Sequence, residues 1–129
     1  MVAFDTNVLV RILVGDDPSQ TKRAERAFLE HAEGQGIFVS MIVLAEVAWV
    51  LSAAYEWDRA TIHDRLSRLV RTRGVILEEI ELVEGALAQY AVGPADFADY
   101  LVVGKARSVG ASLLTFDKRL GRAEGARLL

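Results

Sequence analysis

The chain has no cysteine, only two histidines and only two prolines. Without cysteine there are no disulfides, thiolate metal ligands or cysteine nucleophiles, and a reducing cytoplasm is the expected home. The two histidines, His31 and His63, lack ligand-like spacing and read as surface residues, which disfavours zinc. There is no basic excess: 15 Lys and Arg face 18 Asp and Glu, a net charge of −3. That balance alone argues weakly against a nucleic-acid partner. If bound divalent cations neutralised four acids, however, it would turn slightly basic. Nor is there an apolar run long enough for a membrane span. The longest, residues 37–54, is interrupted by Glu46, and a spanning helix needs about 20 mostly apolar residues with no central carboxylate. Residues 1–4 are too short and lack the basic start of a secretory signal. With 129 residues and 52% hydrophobic content, one domain covering 1–129 is expected, with no repeat, linker or low-complexity segment.

Short β-rich runs alternate with longer helical patterns, which predicts an α/β fold with a parallel sheet covered by helices. The strands are expected at 2–5, 37–39, 75–77, 113–116 and 126–128. Pro18 opens a helix that runs to about Glu33 and is closed by Gly34 and Gly36. Residues 58–73 place Ile62, Leu66, Leu69 and Val70 on one side of an amphipathic helix. A further helix spans 80–92, and Asp96 starts the one that carries Asp99. The helix after Ser40 is apolar almost all round. It is therefore either enclosed by other helices or, near Trp49 or Trp57, part of a subunit interface, and a homodimer is the expectation.

Four carboxylates stand where the local pattern would favour apolar residues. Asp5 ends the first strand, Glu46 interrupts the apolar helix, Asp99 lies within "DFADYLVVGKA", and Asp117 ends "SLLTFD". Ligands of open α/β sheets bind at the carboxyl ends of the strands, so Asp5 and Asp117 are expected to face one crevice. Crowded, desolvated carboxylates need positive compensation. No matching Lys or Arg lies inside the same apolar stretches. A hard divalent cation, Mg²⁺ or Mn²⁺, is the simplest answer for an all-oxygen ligand set. Asp5, Asp96 and Asp117 each have a competing role as helix or turn caps. Glu46, at mid-helix, has none.

The stretches "FDTNVLVRIL", "SMIVLAEVAWVL", "DFADYLVVGKA" and "LLTFDKRL" resemble, in order, the four sequence blocks of the PIN domain. The likeness is closest to the VapC-like toxins of bacterial and archaeal toxin–antitoxin pairs. It covers essentially the whole chain and implies a three-layer α/β/α sandwich with a central parallel sheet. It also implies that Asp5, Glu46, Asp99 and Asp117 are the catalytic, metal-holding acids. Thr6, Asn7 and Thr115 are then their polar companions, and Asp96 is an additional acid that shares the metal or orients its neighbour.

The implied activity is a Mg²⁺- or Mn²⁺-dependent endoribonuclease, in which cations activate water and steady the departing oxygen. The implied partners are an RNA substrate and a VapB-like antitoxin. Lys105, Arg107, Lys118 and Arg119 flank the acid blocks and are candidates for phosphate contacts, while Arg11 is placed to anchor a carboxylate. Two other classes compete. An aspartyl-phosphate phosphatase wants a second Asp where this chain has Asn7, and an acid-lined groove that only docks a basic peptide would need no metal.

Overall fold

The computed structural model describes all 129 residues, which divide into an amino-terminal unit, Met1–Glu78, and a carboxy-terminal unit, Glu79–Leu129. In the first unit, β1 (Val2–Ala3), β2 (Ile37–Val39) and β3 (Val75–Leu77) form a parallel sheet in the order β1-β2-β3. Parallel neighbours require crossovers. Helices α1 (Thr6–Val14) and α2 (Pro18–Glu33) make the first of these, and α3 (Met41–Ala53) and α4 (Arg59–Val70) make the second. The central strand is the most enclosed, with Ile37 and Val39 fully buried, as expected of a strand covered on both faces.

Local chemistry sets the element boundaries. The Asp17, Ser40 and Asp58 side chains cap α2, α3 and α4 by accepting the N–H groups of Gln20, Val43 and Thr61, which satisfies donors at the open end of each helix. Helix α4 stops at Val70, short of the expected 73, and Gly74 then turns the chain into β3 with φ +91°. A β-carbon on Gly74 would also come within 2.5 Å of the Ala32 carbonyl oxygen, so only glycine fits there. The core of this unit includes Leu9, Leu44, Leu51 and Leu66, all fully buried. Each such side chain contributes roughly 1.5–3 kcal/mol. Arg11 meets the anchoring role expected of it, with Nε donating to Gln20 at 2.7 Å and Nη1 lying 3.4 Å from Asp16.

The second unit contains α5 (Ile80–Val92), α6 (Phe97–Ser108), β4 (Leu113–Thr115), a 3₁₀ turn at Leu120–Arg122 and β5 (Ala126–Leu128). Helices α5 and α6 pack together over Val83, Leu87, Phe97, Leu101 and Val103. The Tyr90 and Phe97 rings meet edge to face at 5.9 Å. Strands β4 and β5 are parallel, with Leu114 opposite Arg127. Lys105 is bound to Glu79 at 2.9 Å and Arg107 to Glu124 at 3.2 Å. Two of the cations expected to meet phosphates are therefore engaged within the fold. Every strand pair is parallel; α-helices make the crossovers of the first unit, and a 3₁₀ turn joins β4 to β5. No helix is long and apolar enough to cross a membrane.

Candidate metal and catalytic centre

In the amino-terminal unit, β1 ends at Ala3, and Asp5 is the N-cap of α1 rather than the last strand residue. Its Oδ1 accepts the Val8 N–H at 3.1 Å. The strand is shorter than expected because this bond starts the helix early. One carboxylate oxygen is committed to the cap, which leaves Oδ2 open toward solvent or a ligand. Thr6 and Asn7 begin α1. Asp5 and Asn7 line a cleft of about 580 Å³, together with Arg11, Gln20, Arg23 and His31. His31 was expected to be a plain surface residue, and Arg23 carried no sequence signal. Both reach the cleft because they lie on the same stripe of α2 as Gln20 and Ala27.

Glu46 requires a correction. The apolar surroundings of α3 suggested a desolvated carboxylate, yet Glu46 is exposed. It lies between Ile42 and Trp49, which are 72% and 69% exposed. The spacing i, i+4, i+7 puts all three on one face, so this helix has an open side that composition alone concealed. No polar or charged residue is fully buried anywhere in the chain, and for Glu46 the expected desolvation is absent.

The carboxy-terminal unit supplies the electrostatic signal instead. Asp96 is the N-cap of α6 and Asp99 its third helical residue, in a capping-box arrangement in which Asp99 Oδ2 accepts the Asp96 N–H at 3.2 Å. Partial burial pushes the Asp99 carboxyl above its ordinary value of 3.8; the Asp96 N–H opposes that rise, the charges of Asp96 and Asp117 add to it, and Arg119 works against it. Asp117 follows β4. Its Oδ1 accepts the N–H groups of Leu120 (3.3 Å) and Arg119 (2.8 Å), and these bonds hold its carboxyl below the ordinary value. The Asp117 N–H in turn donates to Thr115 Oγ1 at 3.0 Å. This turn begins one residue earlier than expected, and β4 ends at Thr115.

Three carboxylates thus influence one α6 and β4 end, and the Arg119 guanidinium, 3.6 Å from Asp117, is the cation beside them. Excess negative charge on oxygen donors suits a hard divalent cation, and the absence of thiolates and a histidine cluster disfavours a softer one. Within neither unit do three or more acidic or histidine side chains converge closely enough to ligate a metal. Asp96, Asp99 and Asp117 therefore fit a divalent cation by charge and donor type, not by a completed coordination shell. Both Asp5 and Asp117 lie just past the carboxyl end of a strand, where α/β proteins place their chemistry.

The elements and acids together define an α/β protein of parallel strands, carboxylates following the strand ends. The sequence model of the PIN domain matches residues 2–126, and the chain belongs to the PIN domain family. A VapC ribonuclease of Aquifex aeolicus (strain VF5) is 26% identical over 121 residues, covering 92% of this chain and 89% of that protein. The crystal structure of Mycobacterium tuberculosis VapC20, a sarcin–ricin loop cleaving toxin, matches over 94% of this chain and 93% of its own. Its identity is 20% and its TM-score 0.44.

Proposed function

We propose that this protein is a Mg²⁺- or Mn²⁺-dependent endoribonuclease acting as the toxin of a toxin–antitoxin pair. The observation that carries the reading is the PIN domain match across residues 2–126, which takes in Asp5, Glu46, Asp99 and Asp117. The VapC ribonuclease likeness supports RNA as the substrate. In this reading residues 1–129 act as one PIN domain. Asp5, Glu46, Asp99 and Asp117 are the metal-holding and catalytic acids.

A bound divalent cation would supply activated water and neutralise phosphate charge. The chain's own residues do the rest. Asp99, whose proton affinity is raised by partial burial, gains most from a nearby cation. Thr115 fixes the backbone that presents Asp117, and Asp96 orients the Asp99 carboxylate through its N–H. Asn7 and Thr6 stand beside Asp5 to bond it or a substrate phosphate. A VapB-like antitoxin and a second copy of the chain are the proposed protein partners. The exposed Ile42 and Trp49 of α3 support the latter. The cytoplasm is the proposed location.

The test is direct: purified protein is given RNA with Mn²⁺ or Mg²⁺, with EDTA, and in the Asp99→Asn form. Cleavage that leaves 5′-phosphate ends is expected only in the first case. Undiminished cleavage in EDTA or by the variant would overturn the proposal. A purely peptide-docking acidic groove finds no support in the family match.

A further inference from the structure

Phe116 is 80% exposed, on the residue immediately before Asp117. It follows directly on β4, in which Leu114 is 48% exposed. Directly paired residues of parallel strands share a face, so Arg127 stands beside Leu114 on the open side of β4 and β5. A strand face that served only the fold would carry polar residues toward water.

Charge singles out the same region. The chain is acidic overall, yet residues 109–129 carry four basic and two acidic side chains. Both acids are already engaged, Asp117 by Arg119 and Glu124 by Arg107. Lys118, Arg122 and Arg127 have no carboxylate partner. Arg119 and Arg122 also line a small cleft of about 190 Å³ within this unit, alongside Tyr100.

We propose that Phe116 is a base-stacking residue for single-stranded RNA, with Lys118, Arg122 and Arg127 holding the flanking phosphates. This deepens the ribonuclease reading and rests on it. An exposed ring in a segment that carries unpaired cations is what a single strand needs: every base has a face to stack, and every linkage has a charge to neutralise. Because Phe116 adjoins Asp117 in the chain, a base held there lies close to one of the acids assigned to cleavage. The residue thereby selects which linkage is presented.

The probe is a short oligouridylate labelled with fluorescein, titrated in EDTA so that it stays intact. Phe116→Ala is expected to weaken binding about tenfold, in line with the loss of one stacked base, and Phe116→Trp to restore it. In cleavage assays with Mn²⁺, Phe116→Ala raises KM by a similar factor and lowers kcat little. Arg127→Ala weakens binding and flattens its salt dependence. Wild-type affinity in Phe116→Ala overturns the proposal. So does a loss that Trp fails to rescue, or a change in oligomeric mass with RNA binding intact, which would make this face a protein interface. Failure of the ribonuclease reading shows separately, as a wild-type chain that cleaves nothing with any divalent ion.

Discussion

Carboxylates cap backbone N–H groups in both units, but only in the second does one of them feel the charge of its neighbours. In Met1–Glu78, Asp5, Asp17 and Asp58 each accept a helix N–H and serve the fold as caps. In Glu79–Leu129, partial burial drives the Asp99 carboxyl toward protonation, and the charges of Asp96 and Asp117 add to that rise. The contrast shows that an acid at the start of a helix is not informative by itself. What distinguishes Asp99 from a plain cap is the neighbouring negative charge that is left for something else to neutralise.

The largest effect expected from this difference is on activity. Asp99→Asn should lower metal-dependent RNA cleavage by about a hundredfold or more, the scale associated with removing a pre-positioned charged group. The loss should exceed that from Asp17→Asn, which keeps its cap. Equal losses in a quantitative cleavage assay would erase the distinction between the units. Next come the cores: Leu66→Ala in the first unit and Leu101→Ala in the second should each cost about 2–5 kcal/mol in urea denaturation. If only one substitution shifts the midpoint, the units do not unfold together.

A smaller effect separates the two roles of Asp5. Asp5→Ala removes the cap of α1 and should cost about 1 kcal/mol, whereas Asp5→Asn keeps the cap but loses the charge. On the proposed metal role, Asn should retain thermal stability and wild type alone should gain stability from Mn²⁺, as read by melting with and without the ion. Activity in the Asn variant equal to wild type would return Asp5 to a purely structural role.

The subtlest difference is in pH dependence. The Asp99 pKa is raised in the fold, so stability falls as pH rises from 3.8 through the folded value. In EDTA, Asp99→Asn should thus gain stability relative to wild type over that interval. Asp58 behaves in the opposite sense, its carboxyl held down by the Thr61 hydroxyl and N–H. Its contribution is present above 3.8 and disappears as pH drops through its folded value. Acid melts of Asp58→Asn should show a shallower loss than wild type.

Much of the architecture was legible in the residues. The strands at Ile37–Val39, Val75–Leu77 and Ala126–Leu128 and the helices at Pro18–Glu33 and Ile80–Val92 stand where periodicity, Pro18 and the flanking glycines put them. The stripe of Ile62, Leu66, Leu69 and Val70 is buried as its spacing required. The misjudged strand ends share one cause: short side chains that bond the backbone end a strand sooner than hydropathy suggests, as at Asp5 and Thr115. Glu46 was misread because an apolar helix need not be enclosed, and composition cannot show which side is bare. The cleft residues Arg23 and His31 and the cation assignments of Lys105 and Arg107 depended on packing, which no local pattern encodes.

The bond from the Asp96 N–H to the Asp99 carboxylate has a bearing on descent. A lineage that had ceased to cut RNA would still keep acids at these two positions, since the first turn of α6 rests on them. Their survival in a relative is thus a poor witness to lasting enzymatic competence, and Phe116, which the scaffold does not need, is the better place to look for decay.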